Sequence, residues 1–286
     1  MRAAYPRVVL GLHRSRYQRS LLTDALELGI DAIDTSFNYR DFTAHKTLAQ
    51  VAGDVLPHLT LSTKVGYFPG PSASEHSLDP ARLRAALEQT NRDLGRPPDL
   101  VFLHNPEASL PDATEASADA LKRAFALLAD ATAQGLCRAW GVASWNPRPL
   151  TDLALQRAPQ PSVLMVRAGL LVGSDTLTAA EALAARWDLP QEALWGMSPF
   201  GGGIHDPVWK AVDPRLFLQD PTGGLTRVQA AFRTAYRLPQ VSTLAVGSDN
   251  PAHLRQLLNA LRHEVDDLVV EQYRELLRGR ALRQRA

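Results

Sequence analysis

Cysteine is almost missing from this chain: Cys137 stands alone among 286 residues, which excludes an internal disulfide and any thiolate metal cluster. Lysine is nearly as scarce, at positions 46, 64, 122 and 210, so 27 of the 31 basic residues are arginine. An excess of one charge sign is also absent. With 31 basic against 30 acidic residues the formal net charge is +1, and no long-range field exists to capture nucleic acid or an anionic membrane. No window approaches the roughly 18 apolar residues of a membrane span. The stretch from Met1 to Arg7 lacks the continuous apolar run of a signal peptide, so the expectation is a cytoplasmic protein. His13 and His58 have no second ligand at metal-site spacing, and no metal site is expected. Small molecules are the partners left.

What is present is an alternation. Hydrophobic content of 45% supports a sizeable core without help from metals or crosslinks. Short apolar runs alternate with amphipathic stretches of ten to fifteen residues, the pattern of parallel strands joined by crossover helices. About eight such units can be counted, which predicts an α/β fold, a (β/α)8 TIM barrel, as a single domain over 1–286. The strand candidates are 8–12, 32–34, 60–64, 100–104, 139–143, 163–166, 194–197 and 243–246. Helices are expected at 19–28, 80–94, 118–134 and 251–261, with a C-terminal helix at about 265–283. Asp79 can cap the second of these with Pro80 in its first turn, while Gly29, Gly95 and Gly135 stand where helices should end. The longest irregular segment runs from Pro199 to Gly224 and opens on Gly201-Gly202-Gly203; long loops in compact domains are usually functional.

Functional groups in such barrels sit where strands end. The second predicted strand ends at Asp34, the third at Lys64 and the fourth at His104, so ionisable groups arrive on one rim, with Tyr39 five residues beyond Asp34. A phenol near its usual pKa of ~10 is a poor proton donor or acceptor at neutral pH, but a nearby ammonium stabilises its phenolate. Asp34 would hold Lys64 charged and in place, and His104 could donate a hydrogen bond to a carbonyl oxygen as charge develops on it. The use of lysine in an arginine-rich chain fits this, since a compact ammonium suits an ion pair beside a phenol better than a planar guanidinium does. Such a set can move protons to and from an oxygen but contains no hydride source, so it calls for a redox cofactor.

The segments Asp34 to Tyr39, Ser62-Thr63-Lys64-Val65-Gly66, Leu103-His104-Asn105-Pro106-Glu107, Gly135 to Gly141, Ser198-Pro199-Phe200-Gly201-Gly202 and Val246-Gly247-Ser248 together resemble the aldo-keto reductases, over about residues 8–261. Leu61 to Gly66 is similar to the aldose dehydrogenase branch. The resemblance implies an NAD(P)H-dependent oxidoreductase that interconverts an aldehyde or ketone, such as a sugar or other polar carbonyl, and its alcohol. It implies a tetrad with Tyr39 as general acid in reduction, Lys64 lowering its pKa, Asp34 paired with Lys64, and His104 orienting the carbonyl. It also implies that the N-terminal hairpin usual in the family is reduced or absent, because the first strand starts within ten residues.

The cofactor end departs from the family pattern. Ala143 stands where a nicotinamide-binding serine is expected, leaving Ser144 or Asn146 as substitutes, and Met165 and Met197 replace a glutamine and an aromatic residue. The resemblance puts Ser198, Pro199, Phe200, Gly201 and Gly202 along the cofactor. Gly247, Ser248, His253 and Gln256 would meet its adenosine end, where the start of the last barrel helix offers backbone N–H groups to an anion and Asp249 would oppose a phosphate. Family habit favours NADP(H), while these residues leave NAD(H) open. His13, Asn105, Arg167, His205 and Trp209 are the candidates for substrate contact. The altered nicotinamide seat motivates an alternative reading as a catalytically weak, cofactor-binding regulatory protein.

Overall fold

A computed structural model describes residues 7–153 and 155–285. Eight strands close into a barrel: β1 (Val8–Gly11), β2 (Ala32–Asp34), β3 (Thr60–Val65), β4 (Leu100–His104), β5 (Trp140–Ser144), β6 (Leu164–Arg167), β7 (Leu194–Met197) and β8 (Thr243–Val246). Every neighbouring pair is parallel and follows chain order, and β1 closes on β8 with Val8 opposite Leu244. The helices are α1 (Arg19–Glu27), α2 (Ala44–Ala52), α3 (Pro80–Leu94), α4 (Glu115–Ala133), the single turn α5 (Arg148–Thr151), α6 (Ser174–Arg186), α7 (Arg227–Thr234), α8 (Pro251–Ala260) and α9 (Asp267–Arg285). The stretch before β1 that bears on the expected loss of an N-terminal hairpin, residues 1–6, lies outside the described residues.

Two apolar layers follow from the strand period of two. Outward residues such as Ile33, Leu61, Val101, Leu103, Val142 and Leu164 pack under the helices. Inward residues fill the barrel: Val9, Ala32, Leu100, Phe102, Ala143, Val163, Met165, Trp195 and Ala245 form one cluster. Phe102 is fully buried and meets Trp195 edge-on, with ring centroids 5.6 Å apart. Gly141 makes room for that ring, because a Cβ there would stand 3.1 Å from Phe102 and 2.5 Å from the Val163 carbonyl oxygen.

The helix punctuation acts as the sequence implies. Asp79 accepts from the Arg82 N–H at 2.9 Å at the start of α3, and Gly29, Gly95 and Gly135 all take left-handed φ values. Helix α4 begins three residues before the expected Ala118, because Thr114 accepts from the Ser117 N–H at 3.2 Å. Helix α9 starts at Asp267 rather than 265: Val265 bridges to Leu218, and Asp266 caps the N–H groups of Leu268 and Val269. The segment read as irregular contains two short turns, Val208–Ala211 and Pro214–Phe217. A two-stranded antiparallel ladder after β3, Tyr67–Phe68 against Glu75–His76, was not expected.

The inward cluster is what keeps the barrel shut beneath the rim. Replacing Phe102 with Ala is expected to lower the unfolding free energy by about 3–5 kcal/mol, read from urea denaturation, with the m-value unchanged.

Candidate active site

Inward alternation on three adjacent strands delivers the ionisable residues to one end of the barrel. Register pairs Asp34 with Ser62, Lys64 with Phe102 and His104 with Ala143, so Asp34, Lys64 and His104 all stand on the inner face, above Ala32 and Phe102. The structure thus brings together the three strand-end groups predicted to act as a unit. Tyr39 joins them from the loop after β2, which turns through three consecutive left-handed residues, Arg40, Asp41 and Phe42, before α2.

Lys64 and Asp34 are both buried and form an ion pair through Nζ and Oδ2. Asp34 Oδ1 accepts from the Ser62 hydroxyl at 2.8 Å, and the ammonium also donates to the Thr35 carbonyl at 2.9 Å. Its remaining partner is Tyr39, whose ring centroid lies 5.3 Å from Nζ. Burial by itself would lower the Lys64 pKa; the Asp34 carboxylate, helped by Tyr39, outweighs it and holds the ammonium charged. Tyr39 departs from the sequence expectation. Burial raises its pKa by more than Lys64 lowers it, so the phenol is protonated at neutral pH. The ammonium beneath it favours the phenolate left once a proton has gone.

His104 is neutral: burial, then the charges of Lys64, His76 and His13, push its pKa well below the ordinary value. Its Nδ1 lies 3.1 Å from the Ser36 hydroxyl, and its backbone carbonyl accepts from His76 Nε2 at 2.8 Å. Tyr67 sits edge-on between the two imidazoles, with centroids 4.9 Å from His104 and 4.8 Å from His76. Gly66 permits this approach, with φ at +145° and the His104 oxygen 2.9 Å from where a Cβ would be. Ser36, Asn38, Tyr67 and His76 were missed by the sequence reading. For Ser36 and Asn38 the signal was there, as polar side chains between two predicted catalytic residues; for the other two it lay in an unforeseen ladder.

The group opens into a cavity of about 890 Å³, toward the upper end of the roughly 300–1,000 Å³ typical of small-molecule sites. Of the predicted residues, His13, Asn105, Met165, Ser198, Pro199, Phe200, Gly202, His205, Gly247, Ser248, His253 and Gln256 line it with the tetrad. Four do not. Ser144 follows the inward Ala143 and so faces away from the cavity, fully buried. Gly201 turns back on Ser198, with its α-carbon against Leu171. Trp209 is buried in a second core and donates to the Gly203 carbonyl at 3.2 Å. Arg167, opposite Met197 in the register of β6 and β7, stacks over Trp145 at 5.1 Å, and the Trp145 ring rather than the guanidinium lines the cavity.

The far end of the cavity suits an elongated cofactor, with one correction. Gly202 and Gly203 face open space on one side and Gly247 and Ser248 stand on the other. The start of α8 offers fewer N–H groups than expected. Pro251 has none, Ala252 donates to Asn250 Oδ1 at 2.9 Å, and His253 and Leu254 donate to the Asn250 carbonyl. An anion there is left to side chains, His253, Ser248 and Arg14, together with the helix dipole. Asp249 lines the cavity beside Ser248 and is held toward the loop after β1, where it accepts from the Ser15 hydroxyl at 2.7 Å and the Arg16 N–H at 3.0 Å. Among the described residues, no group of three or more His, Cys, Asp or Glu could hold a metal ion, and no helix is long and apolar enough to cross a membrane.

Comparisons with known proteins identify the family. The sequence model of the Aldo/keto reductase family matches residues 13–204, which include all four rim groups, and the chain belongs to that family of oxidoreductases. Pyridoxine 4-dehydrogenase of Escherichia coli is 27% identical over 146 residues, 50% of each chain, so the match spans about half the length of that curated relative. An aldo-keto reductase from Bacillus halodurans superposes with a TM-score of 0.71 at 18% identity, covering 95% of this chain and 91% of that one. One from Klebsiella pneumoniae, solved in complex with NADPH, gives 0.68 at 18% identity over 96% and 92%. At these identities the solved structures share the fold.

His45 offers a readout of the packing behind the pair. It is buried on α2, its Nε2 2.7 Å from the Thr63 hydroxyl, and burial followed by the Lys64 charge lowers its pKa to about 4. The folded pKa lies below the unfolded value of ~6.5, so the unfolded state takes the proton first. Stability is complete above pH ~6.5 and falls as the pH drops toward 4, by up to about 3 kcal/mol from this group. His45→Phe is expected to flatten that part of the urea-midpoint profile against pH.

Proposed function

We propose that the protein interconverts an aldehyde or ketone and its alcohol with NADP(H), with Tyr39 as the proton donor and acceptor. The observation that carries this reading is the buried Lys64–Asp34 pair beneath the Tyr39 phenol, with His104 beside it, opening into a cavity of about 890 Å³. The nicotinamide, when bound, supplies the hydride.

Tyr39 is protonated in the resting site, as reduction requires. As negative charge develops on the substrate oxygen, the hydroxyl gives up its proton, and the phenolate is stabilised by an ammonium that Asp34 holds in place. In the opposite direction the same phenolate removes the proton of an alcohol. His104 faces the same oxygen, while His13, whose ring centroid is 4.9 Å from that of Tyr39, closes one side of the substrate space. Met165, Met197 and Ala245 give an apolar floor against which the nicotinamide would lie. Ser198, Pro199, Phe200 and Gly202 would flank its phosphates, with Ser248, His253 and Gln256 around the adenosine end. NADP(H) is supported by the NADPH bound to the Klebsiella pneumoniae structure and by His253 and Arg14; NAD(H) would leave those groups unused. A carbonyl and alcohol substrate pair is supported by the pyridoxine 4-dehydrogenase relative.

The apolar floor also supports a second reading, a cofactor-binding regulatory protein of weak activity. The two separate in one experiment. Tyr39→Phe is expected to reduce kcat with an aldehyde panel and NADPH by about 10²–10⁴-fold while leaving NADPH affinity, titrated by fluorescence, within about twofold. Equal rates in wild type and variant would refute the assigned mechanism, and tight NADPH binding without turnover in the wild type would favour the regulatory reading.

A further inference from the structure

Helix α9 is docked along one side only. Val270 is buried in the second core cluster, and Tyr273 and Leu277 pack against it. The Tyr273 hydroxyl donates to the Leu170 carbonyl, and Arg274 pairs with Glu181 on α6 at 2.7 Å. The helical period turns Glu275, Leu276, Gly279, Leu282 and Arg283 away from that side. Leu276 and Leu282 are each 68% exposed there. Gly279 lies between them, and beyond the helix backbone itself a Cβ on it would meet only the Arg283 Nη1, at 3.6 Å. Glycine weakens a helix interior, so its place at the middle of an open face calls for a reason. Glu271 and Arg278 pair with each other at 3.1 Å, whereas Glu275 and Arg283 have no ion-pair partner among the described residues.

This face is symmetric about Gly279. Leu276 and Leu282 stand about 4.5 Å along the helix on either side of it and about 60° to opposite flanks, and Glu275 and Arg283 about 6 Å and 40°. A two-fold axis through Gly279, perpendicular to the helix, therefore lays each member of a pair beside its counterpart from a second copy. We propose that the chain forms a two-fold dimer in which the α9 helices of two copies cross antiparallel at Gly279, Leu276 of each meeting Leu282 of the other and Glu275 of each meeting Arg283 of the other. Leucine then covers leucine and carboxylate faces guanidinium, each contact made twice. The glycine lets the two backbones approach closely enough for the leucines to touch. The charges choose the occupant: an anionic membrane would be drawn to Arg283 but repelled by Glu275, whereas a second copy of this chain satisfies both.

One helix crossing is a small interface, so association in the micromolar range is expected. Sedimentation equilibrium of the full-length protein over about 1–500 µM should reach twice the monomer mass at the upper end. Gly279→Glu should leave a monomer throughout, with helix content by circular dichroism unchanged. Glu275→Arg should weaken association about tenfold by setting arginine against arginine at both contacts, and adding Arg283→Glu to it should restore the dimer. Leu268→Glu, on an exposed leucine of the same helix about 16 Å from the crossing, should have no effect. A wild type that is monomeric at every concentration would overturn the proposal, whether or not it binds anionic vesicles. A dimer indifferent to Gly279→Glu would overturn it too, because its interface would lie elsewhere. Should that variant fail to fold, the charge reversal decides: a Glu275→Arg defect that Arg283→Glu does not repair contradicts the pairing.

Discussion

The pairing of Lys64 with Asp34 inside the barrel is the constraint around which the rim is built. Two full charges have left water, and neither is tolerable alone at that depth. Each is accordingly satisfied from all sides: Ser62 on one carboxylate oxygen, Lys64 on the other, the Thr35 carbonyl and Tyr39 on the ammonium. The pair buttresses the loop after β2, because two of the ammonium's partners, Thr35 and Tyr39, belong to that loop. Its charge reaches outward as well, helping to keep His13, His45 and His104 neutral, in each case beside the larger effect of burial. Burial and one ion pair together thus set the protonation of the surrounding histidines.

This changes how Tyr39 is to be understood. A lysine beside a tyrosine invites the view that the phenol is already half ionised at neutral pH. In this site burial wins in the resting state, and the ammonium makes its contribution after proton transfer, when the charge has arrived. The opposite end of the cavity is less committed. Asn250 occupies the N–H groups that would otherwise greet a phosphate, Asp249 spends its charge on the loop after β1, and the floor is apolar where polar contacts to a carboxamide would be expected. The binding proposed there would depend on shape and on side chains such as Arg14.

Most of the architecture was legible in the sequence because two periodicities, strand and helix, leave strong traces. Strands such as 32–34 and 194–197 have the bounds expected of them, since apolar inward and outward residues both need burial and their runs stop where the barrel does. Asp34, Lys64 and His104 stood out as charges terminating apolar runs. What escaped was set by orientation or by long-range partners. Ser144 looked available beside Ala143, but the alternation of β5 turns it outward. Trp209 and Arg167 sit near the mouth in sequence yet face other partners, the Gly203 carbonyl and the Trp145 ring. The ladder that carries Tyr67 and His76 pairs only two residues on each side, too little for any periodicity to declare.

The claim that burial and the Lys64–Asp34 pair together govern Tyr39 is tested most directly by titrating the phenol itself. The quantity needed is the phenolate absorbance of wild type minus that of Tyr39→Phe across alkaline pH, repeated in the Lys64→Met background. The account predicts that the Tyr39 signal appears only above the usual tyrosine pKa of ~10 and moves higher still without Lys64. A phenolate present near neutral pH, or a titration indifferent to the loss of Lys64, would contradict it.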